Sequence, residues 1–398
     1  MIAATTAAAG ERIELADIFD RYGDAYVRDH YLRSSQAKVL HAIRSCRTAA
    51  MGGHCDWCTR CGFIRYVYFS CRNRHCPKCQ NLAKEQWLQL RCRELLPTPY
   101  FHNVFTLPHE LNPLILCNEQ NQRLLLRLLF HAAAETLLQF GRNNLGGQVG
   151  FTLVLHTWDQ QLRPHFHVHA VIAAGALSHD GGRWISAGRQ FLFPVRALSK
   201  VFRAKFLEGL GELIATRQLV FDISNSNKWF RSLRRKPWIV YSKPPFAGPE
   251  KLLDYLGRYT HRVAISNHRL LSMDNGRVSF HWRDRRNGNR QQVASLPAPT
   301  FIRRFLYHVL PKGFMRIRHY GFLANRAKKQ ALARCRKQVH VPQPAEEPPR
   351  RSVAEMVLLL TGTDITRCPK CGAPLMQERF EPYQEPSPRS LVAYLDSS

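Results

Sequence analysis

The chain has 398 residues, 45% of them apolar, and a formal charge of +29. That length is enough for two or three domains with real cores. A sequence pI of about 10.2 is far beyond what solubility needs and points to a polyanionic partner. No apolar run approaches the roughly eighteen residues of a membrane span. The alanine-rich start, Met1 to Gly10, lacks the basic flank and long apolar stretch of a secretion signal, so the expected location is cytoplasmic. Twelve cysteines, mostly in tight C-x-x-C pairs, suit a metal in a reducing compartment better than disulfides.

In chain order, residues 11–45 read as helical. Leu15, Ile18 and Phe19, then Val39, Leu40 and Ile43, fall at helical spacing. Residues 46–80 are dense in cysteine and too polar to form a core unaided. Residues 81–95 read as a helix closed by Pro97 and Pro99. Beyond Tyr100 the pattern changes: 101–107 reads as a strand, 120–140 as a long amphipathic helix and 149–157 as an apolar strand. After a polar turn, a second strand carries His165-Phe166-His167-Val168-His169 and continues to Ile172. Gly181-Gly182 marks a turn, and 198–217 is helical. Two strands joined by a turn and flanked by helices predict an α+β antiparallel layer.

Residues 219–249 read as irregular. A helix from about Pro249 to near Ala264 carries Tyr255 and Tyr259. A strand over 276–284 and a helix over 301–310 follow. From Arg283 to Lys337, fifteen lysines and arginines stand against one acid, Asp284. Phe301, Phe305, Tyr307, Phe314, Tyr320 and Phe322 are interleaved with them. Charge of one sign repels itself unless phosphates neutralise it, so this block is expected to contact nucleic acid. A Pro/Glu-rich linker over 341–352 leads to a small tail.

Three motifs carry chemistry. Cys58-x-x-Cys61 and Cys76-x-x-Cys79 are two chelating turns of the kind a tetrahedral zinc site joins. His54, Cys55, Cys71 and His75 lie close by as spare ligands, leaving a shifted set or a second metal open. Cys368-x-x-Cys371 is a lone pair with no evident partners in the tail, read either as a zinc knuckle or as an unmetallated turn. On the histidine strand, alternation puts His165, His167 and His169 on one face and Phe166 and Val168 on the other. Three imidazoles on one face are hard to explain by packing, because each needs a polar partner, and they read as ligands to a divalent cation. Tyr255 and Tyr259 stand one turn apart on a helix. With a metal opposite to draw charge from a phosphate, such a phenol can attack it and hold the cut strand as a phosphotyrosine.

These blocks together resemble the IS91 family of transposases, among the HUH endonucleases. Ser70-Cys71-Arg72-Asn73-Arg74-His75-Cys76-Pro77-Lys78-Cys79-Gln80 resembles its zinc-binding domain, and the histidine strand through Gly175 and Leu177 its HUH motif. Tyr255-Leu256-Gly257-Arg258-Tyr259-Thr260-His261-Arg262 resembles its two-tyrosine helix. Phe301-Ile302-Arg303-Arg304-Phe305-Leu306 and Leu310-Pro311-Lys312-Gly313-Phe314 resemble its basic C-terminal block. Laid on the family pattern, His167 and His169 are the HUH pair; the register His165 with His167 stays open, as does the third ligand.

The resemblance implies an antiparallel-sheet HUH nuclease domain over 96–290. A helical, zinc-binding recognition domain would precede it over 1–95. A basic helical region over 291–340 and a linker with cysteine tail over 341–398 would follow. It further implies nicking and rejoining of single-stranded or hairpin DNA ends, and of target DNA, with Mg²⁺ or Mn²⁺ at the nuclease site and structural Zn²⁺. A replication initiator or relaxase of the same chemistry, and a nonenzymatic zinc-containing repressor, are the competing readings. Oligomeric state is not legible.

Overall fold

The computed structural model describes residues 12–383 apart from 189–191, 221–225, 244, 247–250, 253–254, 256, 258–262, 285–286 and 345–350. The elements begin with α1 (Leu15–Asp29), α2 (Ser34–Arg44), β1 (Gly53–Trp57), β2 (Ile64–Tyr68), α3 (Gln80–Cys92) and β3 (Tyr100–Thr106). They continue with α4 (Asn112–Cys117), α5 (Glu119–Phe140), β4 (Gly147–Trp158), β5 (Pro164–Ser178), β6 (Trp184–Ser186), α6 (Val195–Ala215), α7 (Ser226–Arg235) and β7 (Val240–Lys243). Then come β8 (Leu270–Ser272), β9 (Arg277–Asp284), β10 (Arg290–Pro297), the helix Ala298–Leu306 and β11 (Ile317–Gly321). The helices Lys328–Gln338 and Val353–Thr361 and β12 (Met376–Phe380) complete the order. Two units result: one from residues 85–264 and 303–345, the other from 1–84, 265–302 and 346–398.

The first unit is built on an antiparallel sheet of order β11-β4-β5-β3-β7, with β6 on β5. This is the expected α+β layer, with more strands than the sequence reading found. That reading left 219–249 irregular and 317–321 outside any strand. β7 is four residues long beside a proline-rich stretch, and β11 is half-buried at every position, so neither shows the apolar alternation that marks a strand.

Alternation along β5 divides the sheet's two faces. Phe166, Val168, Ala170 and Ile172 enter a core with Leu125, Leu129 and Phe130 of α5 and Phe202 and Phe206 of α6. Register completes it: Phe105 and Leu155 stand opposite Val168, and Phe101 and Phe151 opposite Ile172. Each such side chain contributes about 1.5–3 kcal/mol by leaving water. The histidines occupy the opposite face. α5, with the turn that follows it to Leu145, is long and apolar enough to cross a membrane by length and composition, although the sequence holds no uninterrupted apolar run of that length; 67% of its apolar eighteen-residue stretch is buried here. It is the core helix, with Asn121 satisfied by the carbonyls of Leu114 and Val220.

Two histidines, His308 buried and His319 half-buried, fasten the sheet's periphery. His308 Nε2–H donates to the Leu162 carbonyl, so Nδ1 accepts from the Thr157 hydroxyl, both at 3.1 Å. His319 on β11 meets the Thr152 hydroxyl at 2.8 Å and an Arg91 guanidinium nitrogen at 3.1 Å. Of the aromatics interleaved with the basic block, Phe301, Phe305, Phe314 and Phe322 are buried in cores. Exposed aromatics lie elsewhere, at Tyr66 and Tyr68 on β2 and Tyr241 on β7.

In the second unit β1 is the centre of a sheet of order β12-β1-β2, and β10-β9-β8 form another. Asp56 on β1 is buried, held by Arg65 of β2 and Gln377 of β12. The expected helical span 11–45 is split into α1 and α2, which meet where Leu40 packs against Gly23.

Two outcomes are expected. Gly321 ends β11 at φ +62°, and a Cβ there would overlap the Val149 carbonyl. Gly321→Ala should therefore cost roughly 3 kcal/mol in urea unfolding, the sum of left-handed strain and overpacking. Burial lowers the His308 ring to about 4 and the His319 ring to about 3, against about 6.5 in an unfolded chain. Below pH 6.5 the unfolded state takes up protons that the folded state refuses. Stability should then fall with pH by on the order of 1 kcal/mol per unit per histidine. The urea midpoint measured from pH 7 to pH 5 should show this slope, and a flat profile would contradict it.

Candidate metal centres

Strand register assembles the histidine site. His156 of β4 stands directly opposite His167 of β5, as a cross-strand pair on one face. His169 lies two residues further along that face. His156, His167 and His169 are all buried, and each offers a nitrogen within 4.8 Å of the others. His165 is exposed and outside this group. Its backbone carbonyl instead accepts Nδ1–H of His167 at 2.8 Å, which fixes that tautomer and leaves Nε2 for a metal. The His156 ring stacks on Trp158 at 5.2 Å between centroids. Sequence reasoning missed His156 because a lone histidine in an apolar strand carries no motif; only pairing with β5 shows its place.

His102 on β3 was also missed. It stands opposite Val171, one diagonal step from His169 on the same face, and the two rings stack with 11° between planes. Burial lowers its pKa to about 3, with Lys243 adding to the effect, so the ring is neutral. Tyr255 meets both histidines: its hydroxyl lies 2.6 Å from His102 Nε2 and 2.9 Å from His169 Nδ1. If His169 keeps Nε2 for a metal, its Nδ1–H donates to Tyr255 Oη, and the phenol in turn donates to His102 Nε2. Phe246 packs on the tyrosine ring at 4.9 Å. Gly257, two residues on, lets Leu88 approach, since a Cβ there would sit 2.9 Å from the leucine methyl. Tyr259, Arg258, His261 and Arg262 fall outside the described residues.

The donor set fits a divalent cation. Three neutral imidazoles can ligate it and leave positions for phosphate oxygens or water. Nitrogen ligands suit Mn²⁺ and its transition-metal neighbours better than Mg²⁺, which prefers oxygen.

The cysteines are distributed differently from the pairing the sequence suggested. Cys76 and Cys79 do not share a site with Cys58 and Cys61. They group with Cys71 and with Cys46 at the end of α2, and Sγ of Cys79 lies 3.5 Å from that of Cys46 and 3.6 Å from that of Cys71. A tetrahedron of about 2.3 Å Zn–S bonds has edges near 3.8 Å, so these four fit zinc. Cys58 and Cys61 meet the tail pair Cys368 and Cys371. Cys55, in contrast, is buried in β1 and belongs to neither group. His54 and His75 are likewise outside both.

A family model described as "Transposase zinc-binding domain" matches residues 18–107, and one described as "Putative transposase" matches residues 150–331. The chain is 48% identical over 371 residues to "Putative transposase y4qJ" of Sinorhizobium fredii, covering 90% of this chain and 92% of that one. It is 30% identical over 353 residues to "Transposase for insertion sequence element IS801" of Pseudomonas savastanoi pv. phaseolicola, covering 86% of this chain and 83% of the relative. Among solved structures, conjugative relaxase TrwC in complex with mutant oriT DNA matches 39% of this chain and 70% of its own. The identity there is 16% and the TM-score 0.22.

The geometry separates two substitutions. His156→Ala should weaken Mn²⁺ binding by more than the roughly 10–100-fold typical of losing an outer-shell partner. His165→Ala should leave the affinity within a few-fold. Titration calorimetry with Mn²⁺ reads both, and the reverse ranking would restore His165 as a ligand.

Proposed function

Because this chain belongs to the IS91 family of transposases, we propose that it nicks and rejoins single-stranded DNA at the ends of a mobile element through a 5′-phosphotyrosine intermediate. One observation carries this reading: the Tyr255 hydroxyl sits 2.9 Å from a histidine of the buried imidazole trio. His156, His167 and His169 would hold the divalent cation, with Mn²⁺ favoured over Mg²⁺ by the nitrogen ligands. When bound, it supplies positive charge against the scissile phosphate.

The chain's own residues do the rest. Tyr255 and Tyr259 are the nucleophiles. The phenol oxygen attacks phosphorus, the bond to the 3′ oxygen breaks, and that oxygen leaves with a proton as a free 3′ hydroxyl. His102 Nε2 accepts the phenol's hydrogen bond, and the proton the phenol gives up on attack passes to solvent while the departing 3′ oxygen takes one up. The low basicity of His102 in the resting site means that it orients the phenol rather than stripping its proton. The phosphotyrosine keeps the energy of the cut bond, so a later 3′ hydroxyl can displace the tyrosine and rejoin the strand without nucleotide hydrolysis. DNA is the proposed partner, supported by the charge of +29. Tyr66 and Tyr68 on the exposed face of β2 offer rings for bases to stack on.

With Mn²⁺ and a labelled single strand carrying an element end, the protein should give a covalent adduct that survives a denaturing gel. Tyr255→Phe and Tyr259→Phe should each retain some nicking while blocking complete strand transfer, if the tyrosines act in sequence. Absence of any adduct with the correct end supplied would leave a DNA-binding protein without this chemistry.

A further inference from the structure

The cysteine pair of the tail is left unused by the transposase reading. Cys368 and Cys371 lie far beyond residue 107, where the zinc-binding family match ends. Yet they stand against Cys58 and Cys61, with Sγ atoms 3.5 Å apart in the pairs Cys58–Cys371 and Cys61–Cys368. All four thiols converge within 4.8 Å. These separations match the edge of a zinc tetrathiolate, about 3.8 Å, and are far too long for S–S bonds of about 2.05 Å.

The two pairs are built as copies of one turn. In one, Gly62 N–H donates to the Cys58 carbonyl and Cys58 N–H to the Phe63 carbonyl. In the other, Gly372 N–H donates to the Cys368 carbonyl and Cys368 N–H to the Ala373 carbonyl. Gly62 and Gly372 both take left-handed φ, +68° and +74°, a conformation that favours glycine. Backbone N–H groups of Arg60 and Cys61 bond Cys58 Sγ, and those of Lys370 and Cys371 bond Cys368 Sγ. A basic residue precedes the second cysteine in each turn, Arg60 and Lys370. A Zn²⁺ with four thiolates carries a charge of about −2, which two cations and four N–H donors offset.

We propose that Cys58, Cys61, Cys368 and Cys371 hold a second structural zinc, separate from that of Cys46, Cys71, Cys76 and Cys79, and that it fastens the carboxy-terminal segment to the amino-terminal sheet. β12 pairs with β1 from Gly53–Phe380 to Trp57–Met376, and the metal sits at the end of this pairing where Cys58 follows Trp57. A four-residue C-x-x-C turn at each pole gives the cation tight chelation. The cross-link closes a loop of some three hundred residues, the regime in which fixing two distant points removes most chain entropy. The recognition domain is thus completed from both ends of the chain.

Alkylation of the full-length, zinc-replete protein, read peptide by peptide in a mass spectrometer, tests this without any substitution. Cys61, Cys92 and Cys117 are all exposed. Cys92 and Cys117 should label at once. Cys61 and Cys371 should stay unmodified until a chelator is added, then label together with Cys58 and Cys368. In C368S/C371S, zinc per chain should drop by one, and Cys58 and Cys61 should become reactive while Cys46, Cys71, Cys76 and Cys79 stay protected. Labelling of Cys61 and Cys371 at the rate of Cys92 before chelation, or unchanged zinc in the double variant, overturns the proposal.

Discussion

The histidine site depends on one constraint, the register between β4, β5 and β3. Because side chains alternate with a period of two, a slip of a single residue along β5 would turn His167 and His169 into the helical core and Val168 out of it. Phe166, Val168, Ala170 and Ile172, packed on α5 and α6, make that slip prohibitive. The apolar face therefore does chemical work at a distance. By locking register, it sets His156 opposite His167 and places His102 one diagonal step from His169.

What stands on the polar face follows from burial. Imidazoles taken out of water lose their charge, as the depressed pKa of His102 reflects, and neutral rings are what a metal needs. Each also requires a hydrogen-bonding partner. His167 finds the backbone of His165, and His169 finds a phenol and a third ring. The same bonds that satisfy these groups fix which nitrogen is free to ligate. Tyr255 is thereby tied into the histidine network.

The second unit reaches order by another route. Its cysteine-rich segment has little apolar surface, so converging thiols take the place of a core. They do so by drawing on remote parts of the chain: Cys46 from the end of α2, and Cys368 and Cys371 from the tail. Asp56, held by Arg65 and Gln377, ties the same three strands by side-chain hydrogen bonds.

Much was legible in the residues alone. The alternation of histidine with phenylalanine and valine showed the strand and its two faces, because pleating is a local property. The paired cysteines announced metal, because a C-x-x-C turn chelates by itself. The excess of positive charge, +29, is read in the same way, since charge is summed without regard to fold. What sequence could not decide was partnership between distant residues. Cys58 and Cys76 looked like partners by proximity along the chain, yet thiols combine by proximity in space, and strand pairing brought the tail to Cys58 instead. His165 lies on the same strand face as His167 and His169, but it sits at the exposed end, while His156 on the neighbouring strand completes the trio. The basic block looked like a separate element until β11 took its place in the sheet. Its phenylalanines were drawn into cores because burying an aromatic ring outweighs leaving it exposed for a base. Local pattern determined which chemistry the chain carries; tertiary pairing decided which atoms share it, because register and loop closure join residues that no local spacing connects.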